Sequence, residues 1–185
     1  MRITLGRAFM LAALAGAAGV LAAAVSTHRN GHSHRVVPHA LTTDISVTDQ
    51  LHLDNITGVQ AQGFATLIDL RPDGEAPDQP ASDDVRIAAG RAGLFFAYVP
   101  VPHGEIPTST VDALARALQA TPRPVLLYCR TGRRAARTWA LVEAQRPGGL
   151  DTAGIEHAVE GAGQSASDID DKISAGVAAR SPSGG

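Results

Sequence analysis

The chain has 185 residues, 44% of them apolar, enough for the core of one domain with extensions at its ends. Its 16 basic and 18 acidic residues nearly cancel, so no overall field draws it to nucleic acid or to an acidic membrane surface. A single cysteine, Cys129, excludes an internal disulfide and leaves a free thiol, a thiol paired between chains, or a nucleophile.

The first element is an uncharged run, "AFMLAALAGAAGVLAAAVST" (8–27), behind Arg2 and Arg7. Its length suits a membrane span, and its basic start and Ala22-Ala23-Ala24 suit a cleaved signal peptide. Residues 1–27 are therefore expected to be a signal peptide or a membrane anchor in the form of a hydrophobic helix. Either reading exports the rest of the chain, to a periplasmic location or to the outer face of a membrane. The stretch "HRNGHSHRVVPHA" follows, with His28, His32, His34 and His39. Their spacing matches no closed metal site, and residues 28–42 are expected to be a flexible linker. The tail 181–185, Ser-Pro-Ser-Gly-Gly, has the composition of disorder.

Regular patterning fills 43–180, the expected catalytic domain. "ISVTDQL" alternates as a strand does, and "HLDNITGVQAQG" predicts a short helix closed by Gly63. "FATLIDL" is a buried strand running into the turn-rich "RPDGEAPDQP". "SDDVRIAAGRAG" predicts a helix capped by Ser82 and stopped at Gly93, before a strand in "LFFAYVPV". A loop, "PHGEIPT", leads to "STVDALARALQA", where Ser109 and Asp112 have capping-box spacing. "RPVLLYC" is a strand and "RRAARTWALVEAQR" a helix with Trp139 in the core; two more helices are expected around 154–162 and 167–179. This alternation predicts an α/β three-layer sandwich around a mostly parallel sheet of four to five strands. Ligands of such sheets bind at the carboxyl ends of the strands, and Cys129 stands at one.

Cys129 opens a strand-loop-helix turn followed by four arginines: Arg130, Arg133, Arg134 and Arg137. Such a turn aims backbone N–H groups at one point, and the positive end of the following helix adds to their field. Gly132 permits the backbone angles of a concave loop. An anion is expected above Arg130, Thr131, Gly132 and Arg133, with the Cys129 thiolate favoured at the loop's rim. Arg134 can fork two oxygens or a terminal sulfur. Neither a second cysteine nor a close histidine joins Cys129 as zinc would require, and no metal or cofactor is expected. A second constellation lies in "LRPDGE": Pro72 and Gly74 make a turn, while Arg71, Asp73 and Glu75 can face the cysteine pocket or hold its arginines.

"YCRTGRRA" resembles the active loop of rhodanese-type sulfurtransferases. The wider set, "QLHLDNITGVQAQGFATLIDLRPDGEAPDQP", "YVPV" and "CRTGRRAARTWAL", resembles the phosphatase-like domain of beta-lactamase-hydrolase-like proteins over residues 43–145. That resemblance implies a dual-specificity-phosphatase-like fold, a nucleophile at Cys129 and an anion loop from Arg130 to Arg134. It leaves two chemistries open. Dual-specificity phosphatases place five residues between their cysteine and arginine; here four intervene, and the phosphatase position holds Ala135. Tyr128 stands where they have histidine. Their aspartate acid has no counterpart after "YVPV", where His103 comes first and Glu105 follows. The short loop and the missing acid favour a sulfurtransferase passing sulfur from a small donor through a Cys129 persulfide to a thiol acceptor. The alternative is a phosphatase acting on a phosphoester through phosphocysteine, with His103 or Glu105 as acid. A non-catalytic module that binds an anion or a peptide at the loop is the third reading.

Overall fold

The computed structural model describes residues 35–180. The expected signal or anchor segment, His28, His32, His34 and the tail lie outside the described residues. Within them, no helix is long and apolar enough to cross a membrane.

Among the described residues, five strands form one sheet: β1 (His39–Ala40), β2 (Ile45–Thr48), β3 (Thr66–Asp69), β4 (Phe95–Tyr98) and β5 (Val125–Tyr128), in the order β1-β2-β5-β3-β4. Only β1 runs antiparallel to its neighbour. Strand β5 sits at the centre, in register with Ile45–Thr48 on one side and Thr66–Asp69 on the other. Its four residues, Val-Leu-Leu-Tyr, are all buried, as a parallel strand covered on both faces requires.

Among the described residues, six α-helices cover the sheet: α1 (Ile56–Ala61), α2 (Ser82–Arg91), α3 (Thr108–Ala120), α4 (Arg133–Gln145), α5 (Thr152–Gly161) and α6 (Asp170–Arg180). Alternation along β5 divides the core. Val125 and Leu127 join Ile45, Val47 and Ile68 against the helices α3 to α6, with Trp139 and Ile173 in the same cluster. Leu126 and Tyr128 point the other way, onto Ile56, Val59 and Val85 of α1 and α2. The result is the three-layer α/β arrangement that the patterning predicts, with the upper strand number realised.

Local differences have simple causes. The expected helix at 52–63 opens as a 3-10 turn, Leu53–Asn55, before α1. Ser82 is the first helical residue rather than the cap; its hydroxyl donates to Asp73 Oδ2 at 2.7 Å. Helix α3 begins at Thr108 behind Pro107, so Ser109 lies inside its first turn. The two-residue strand β1, too short for any periodicity, falls within the stretch read as a linker, where Val36 and Leu41 are buried.

Candidate active site

The alternation of β5 determines which way its terminal residues face. Tyr128 turns toward α1 and α2, so Cys129, the next residue, belongs to the α4 side of the core. There it forms part of the lining of a cleft of about 590 Å³. The thiol stands at the floor of this cleft rather than at a rim, with only 1% of the residue exposed. Gly132, one residue before α4, has φ +81 and ψ −29, in the left-handed region where side chains are strained. A Cβ there would also lie 3.0 Å from Gln164 Nε2. No side chain caps α4, and its opening N–H groups lack intrahelical acceptors, so they are available to an anion over the loop.

Glu75 organises the arginines around that loop. Arg134 donates from Nη1 to Glu75 Oε1 at 2.7 Å and from Nη2 to Oε2 at 3.2 Å, with a further bond from Nη1 to the Val101 carbonyl at 2.7 Å. Arg71 Nε donates to the same carboxylate at 3.0 Å, and His103 Nε2 lies 3.2 Å from Oε1. Burial pushes the Glu75 carboxyl up, but the bonds from Arg134 and Arg71 outweigh it and hold the group below the usual carboxylate range. The carboxylate is therefore charged at neutral pH and fixes Arg134 beside Cys129.

The remaining expected residues divide between cleft and scaffold. Arg130, Thr131, Arg133, Arg134 and His103 line the cleft. Arg71 is buried one step away, where its Nη1 donates to Gln50 Oε1 at 2.6 Å, and it borders a separate recess shared with Arg130. Asp73 faces α2: it accepts from the Ser82 backbone N–H at 2.8 Å, serving as the cap that Ser82 was expected to provide. Gly74, at φ +78, makes the predicted turn with Pro72. Glu105 is paired with Lys172 Nζ at 2.6 Å, which holds its carboxyl below the ordinary range, so it is ionised at neutral pH and ill suited to donate a proton. Among the described residues no group of three or more histidine, cysteine, aspartate or glutamate side chains is placed to hold a metal.

Two features had no signal in the sequence. Asp168, Ile169 and Lys172 join Arg137 to form the far wall of the cleft, with Asp168 bridging Arg133 at 3.1 Å and Arg137 at 2.7 Å. The second is Asp69, at the end of β3, buried behind the loop and hydrogen-bonded to Tyr128. Burial raises its carboxyl to about 6, against the lowering effect of the Tyr128 and Arg71 hydrogen bonds. Burial and the neighbouring Asp69 charge likewise push the Tyr128 phenol up, so it remains a neutral donor. Because the folded protein holds the Asp69 proton more tightly than the unfolded chain, this stabilisation is fully present below 3.8 and lost as pH rises through about 6. The difference amounts to about 3 kcal/mol. The Asp69→Asn variant is thus expected to be worst, relative to the parent, near pH 4 and to recover by about 3 kcal/mol at pH 7.5. Urea midpoints across that range measure this; a difference that stays constant with pH contradicts it.

The decisive comparison is at the level of family. Residues 38–146 match the family model described as "Beta-lactamase hydrolase-like protein, phosphatase-like domain". The chain belongs to this family. Among curated members, the beta-lactamase hydrolase-like protein of Xylella fastidiosa (strain Temecula1) is 37% identical over 99 residues, which make up 54% of this chain and 23% of that one. The protein of the same name from Agrobacterium fabrum is 32% identical over 100 residues, with the same coverage. This phosphatase-like chain thus matches about a quarter of the length of its curated relatives. Among solved structures, a Neisseria meningitidis protein assigned as a phosphatase superposes with a TM-score of 0.66 at 24% identity, covering 75% of this chain and 96% of that one. P. aeruginosa TpbA, in a cysteine-to-serine variant complexed with pTyr, gives 0.52 at 18% identity, covering 74% and 87%. At these identities the superpositions establish a shared fold.

These findings correct the expected chemistry. The sulfurtransferase reading, with its sulfur donor and thiol acceptor, gives way to the phosphatase alternative, because the matching family is a phosphatase-like domain and the fold is one that phosphatases use. Arg134 still reaches the cleft from the shorter loop, held there by Glu75.

Proposed function

We propose that this domain hydrolyses phosphomonoesters through a phosphocysteine on Cys129. The observation that carries the reading is the grip of Glu75 on Arg134 beside a buried cysteine at the mouth of an uncapped helix. A phosphoryl group over Cys129 would lie against the N–H groups of Arg130 to Arg134, with the Arg134 guanidinium taking two of its oxygens. The Cys129 thiolate attacks phosphorus, the S–P bond forms and the P–O bond to the leaving group breaks. His103, held by Glu75 at the cleft wall, gives the departing oxygen its proton. Water then attacks the phosphocysteine, His103 takes a proton from it, and inorganic phosphate leaves as the thiolate is restored. In this reading Arg130, Thr131, Gly132 and Arg133 bind substrate through the loop, whereas Arg71 and Asp73 act as scaffold.

Acid quenching during turnover of p-nitrophenyl phosphate, followed by peptide mass mapping, tests the scheme. One phosphoryl group on the peptide containing Cys129 is expected. Turnover without a trapped adduct, or an adduct elsewhere, would rule out Cys129 as the nucleophile.

A further inference from the structure

The cleft is larger and more basic than one phosphoryl group requires. About 590 Å³ falls within the roughly 300–1,000 Å³ that small-molecule sites occupy. Five basic side chains line it, Arg130, Arg133, Arg134, Arg137 and Lys172, against the two carboxylates Glu105 and Asp168. Arg134 is committed to the loop beside Cys129, whereas Arg133 and Arg137 lie one turn apart on the face of α4 that continues the cleft, and Lys172 faces them from α6. Their present counter-ions are weakly held: Asp168 is 44% exposed and Glu105 78% exposed, and exposed pairs of this kind exchange readily for an incoming anion. Asp168 must also serve two guanidinium groups at once. The buried Nε of Arg137 has no hydrogen-bond acceptor among the described residues, an unmet donor inside the same wall.

We propose that the cleft selects small phosphomonoesters that carry a second anionic group, a phosphate or a carboxylate, bound by Arg133, Arg137 and Lys172. The second charge sits about one helical turn, roughly 5 Å, along α4 from the phosphoryl cradle. The inference deepens the phosphomonoester reading and rests on it only for the group over Cys129. A ligand with both charges displaces Asp168 and satisfies the Arg137 donor, while a singly charged ester leaves that wall as it is.

Calorimetric titration of the protein at low salt with propylphosphonate and with propane-1,3-bisphosphonate tests this without turnover. The bisphosphonate is expected to bind at least about tenfold tighter, since two charge-assisted contacts are added. That ratio should rise in Asp168→Asn, which frees both guanidinium groups, and fall toward unity in the Arg133→Gln/Lys172→Gln double variant, whose two positions are about half exposed. Equal affinity of the parent protein for the two ligands, or a preference that survives the double variant, overturns the proposal. Hydrolysis of phenyl phosphate separates the two ideas. A protein that hydrolyses it but shows no bisphosphonate preference loses only the second-anion site. One that hydrolyses nothing, yet prefers the bisphosphonate through Arg133 and Lys172, loses only the phosphatase reading.

Discussion

Replacing Cys129 by serine is expected to lower p-nitrophenyl phosphate hydrolysis on the order of 10³-fold or more while leaving the fold intact. The two side chains differ by one atom, and the position lies at the floor of a cleft already open to ligand, so the packing of Leu127, Ala136 and their neighbours changes little. What changes is the nucleophile. A thiol yields its anion far more readily than an alcohol, and the thiolate is the reacting species. A serine hydroxyl needs an adjacent base to attack phosphorus, and at that step of the proposed cycle His103, the imidazole lining this cleft, is the acid for the leaving group and not a base. The same variant should still bind the non-reacting phosphonates, because the loop N–H groups and Arg134 are unaltered. Steady-state kinetics beside thermal melts measure both halves. Full turnover in the serine variant would place the nucleophile elsewhere.

Glu75→Gln is expected to cost about 3 kcal/mol of stability at pH 7 and to lower kcat on the order of 10²-fold. Glu75 has 10% of its side chain exposed and is the shared acceptor for Arg134, at 11%, and Arg71, at 5%. Glutamine keeps the shape but removes the charge, leaving two nearly buried guanidinium groups uncompensated and setting an amide N–H against one of them. The activity falls because Arg134 loses the fork that fixes its orientation, and small displacements of a positioned group are costly. The pH dependence has a definite sign. The Glu75 carboxyl is held below its ordinary value of 4.5, so its contribution is present above that value and disappears as pH falls through the folded-state one. The stability gap between parent and variant should therefore narrow as pH falls below 4.5. Urea unfolding from pH 7 into the acid range reads this directly; a gap that stays constant across the whole range would assign the loss to shape rather than charge.

Much of the site could be read in one dimension because its signals are short-range. The apolar run Val125–Tyr128, the break at Cys129, Gly132 and the helical spacing of Arg133 and Arg137 lie within thirteen residues, and each feature acts on its immediate neighbours. The same locality allowed a turn at Pro72–Gly74 and a parallel sheet to be anticipated. It failed where two local rules competed for one residue. Ser82 has the right chemistry for a cap, yet Asp73, nine residues earlier, reaches the helix start and takes that place.

The choice of chemistry failed for a related reason. Counting residues between Cys129 and Arg134 measures chain length, while what a phosphoryl group meets is where the guanidinium is held. That position depends on Glu75, 59 residues away, in the loop that follows β3, the strand beside β5.

The amino-acid sequence alone determined that a lone thiol ends a buried strand, that a glycine turn and a helix start follow it, and that arginines crowd the turn. These follow from hydrophobic periodicity and backbone conformational limits, which operate over a few residues. Only the tertiary structure decided that Glu75 clasps Arg134, Arg71 and His103, that Asp69 is buried against Tyr128, and that the last helices close the cleft with Asp168 and Lys172. Those contacts are created by the strand order β2-β5-β3 and by the docking of α6 on α4, arrangements set by the burial of the whole core.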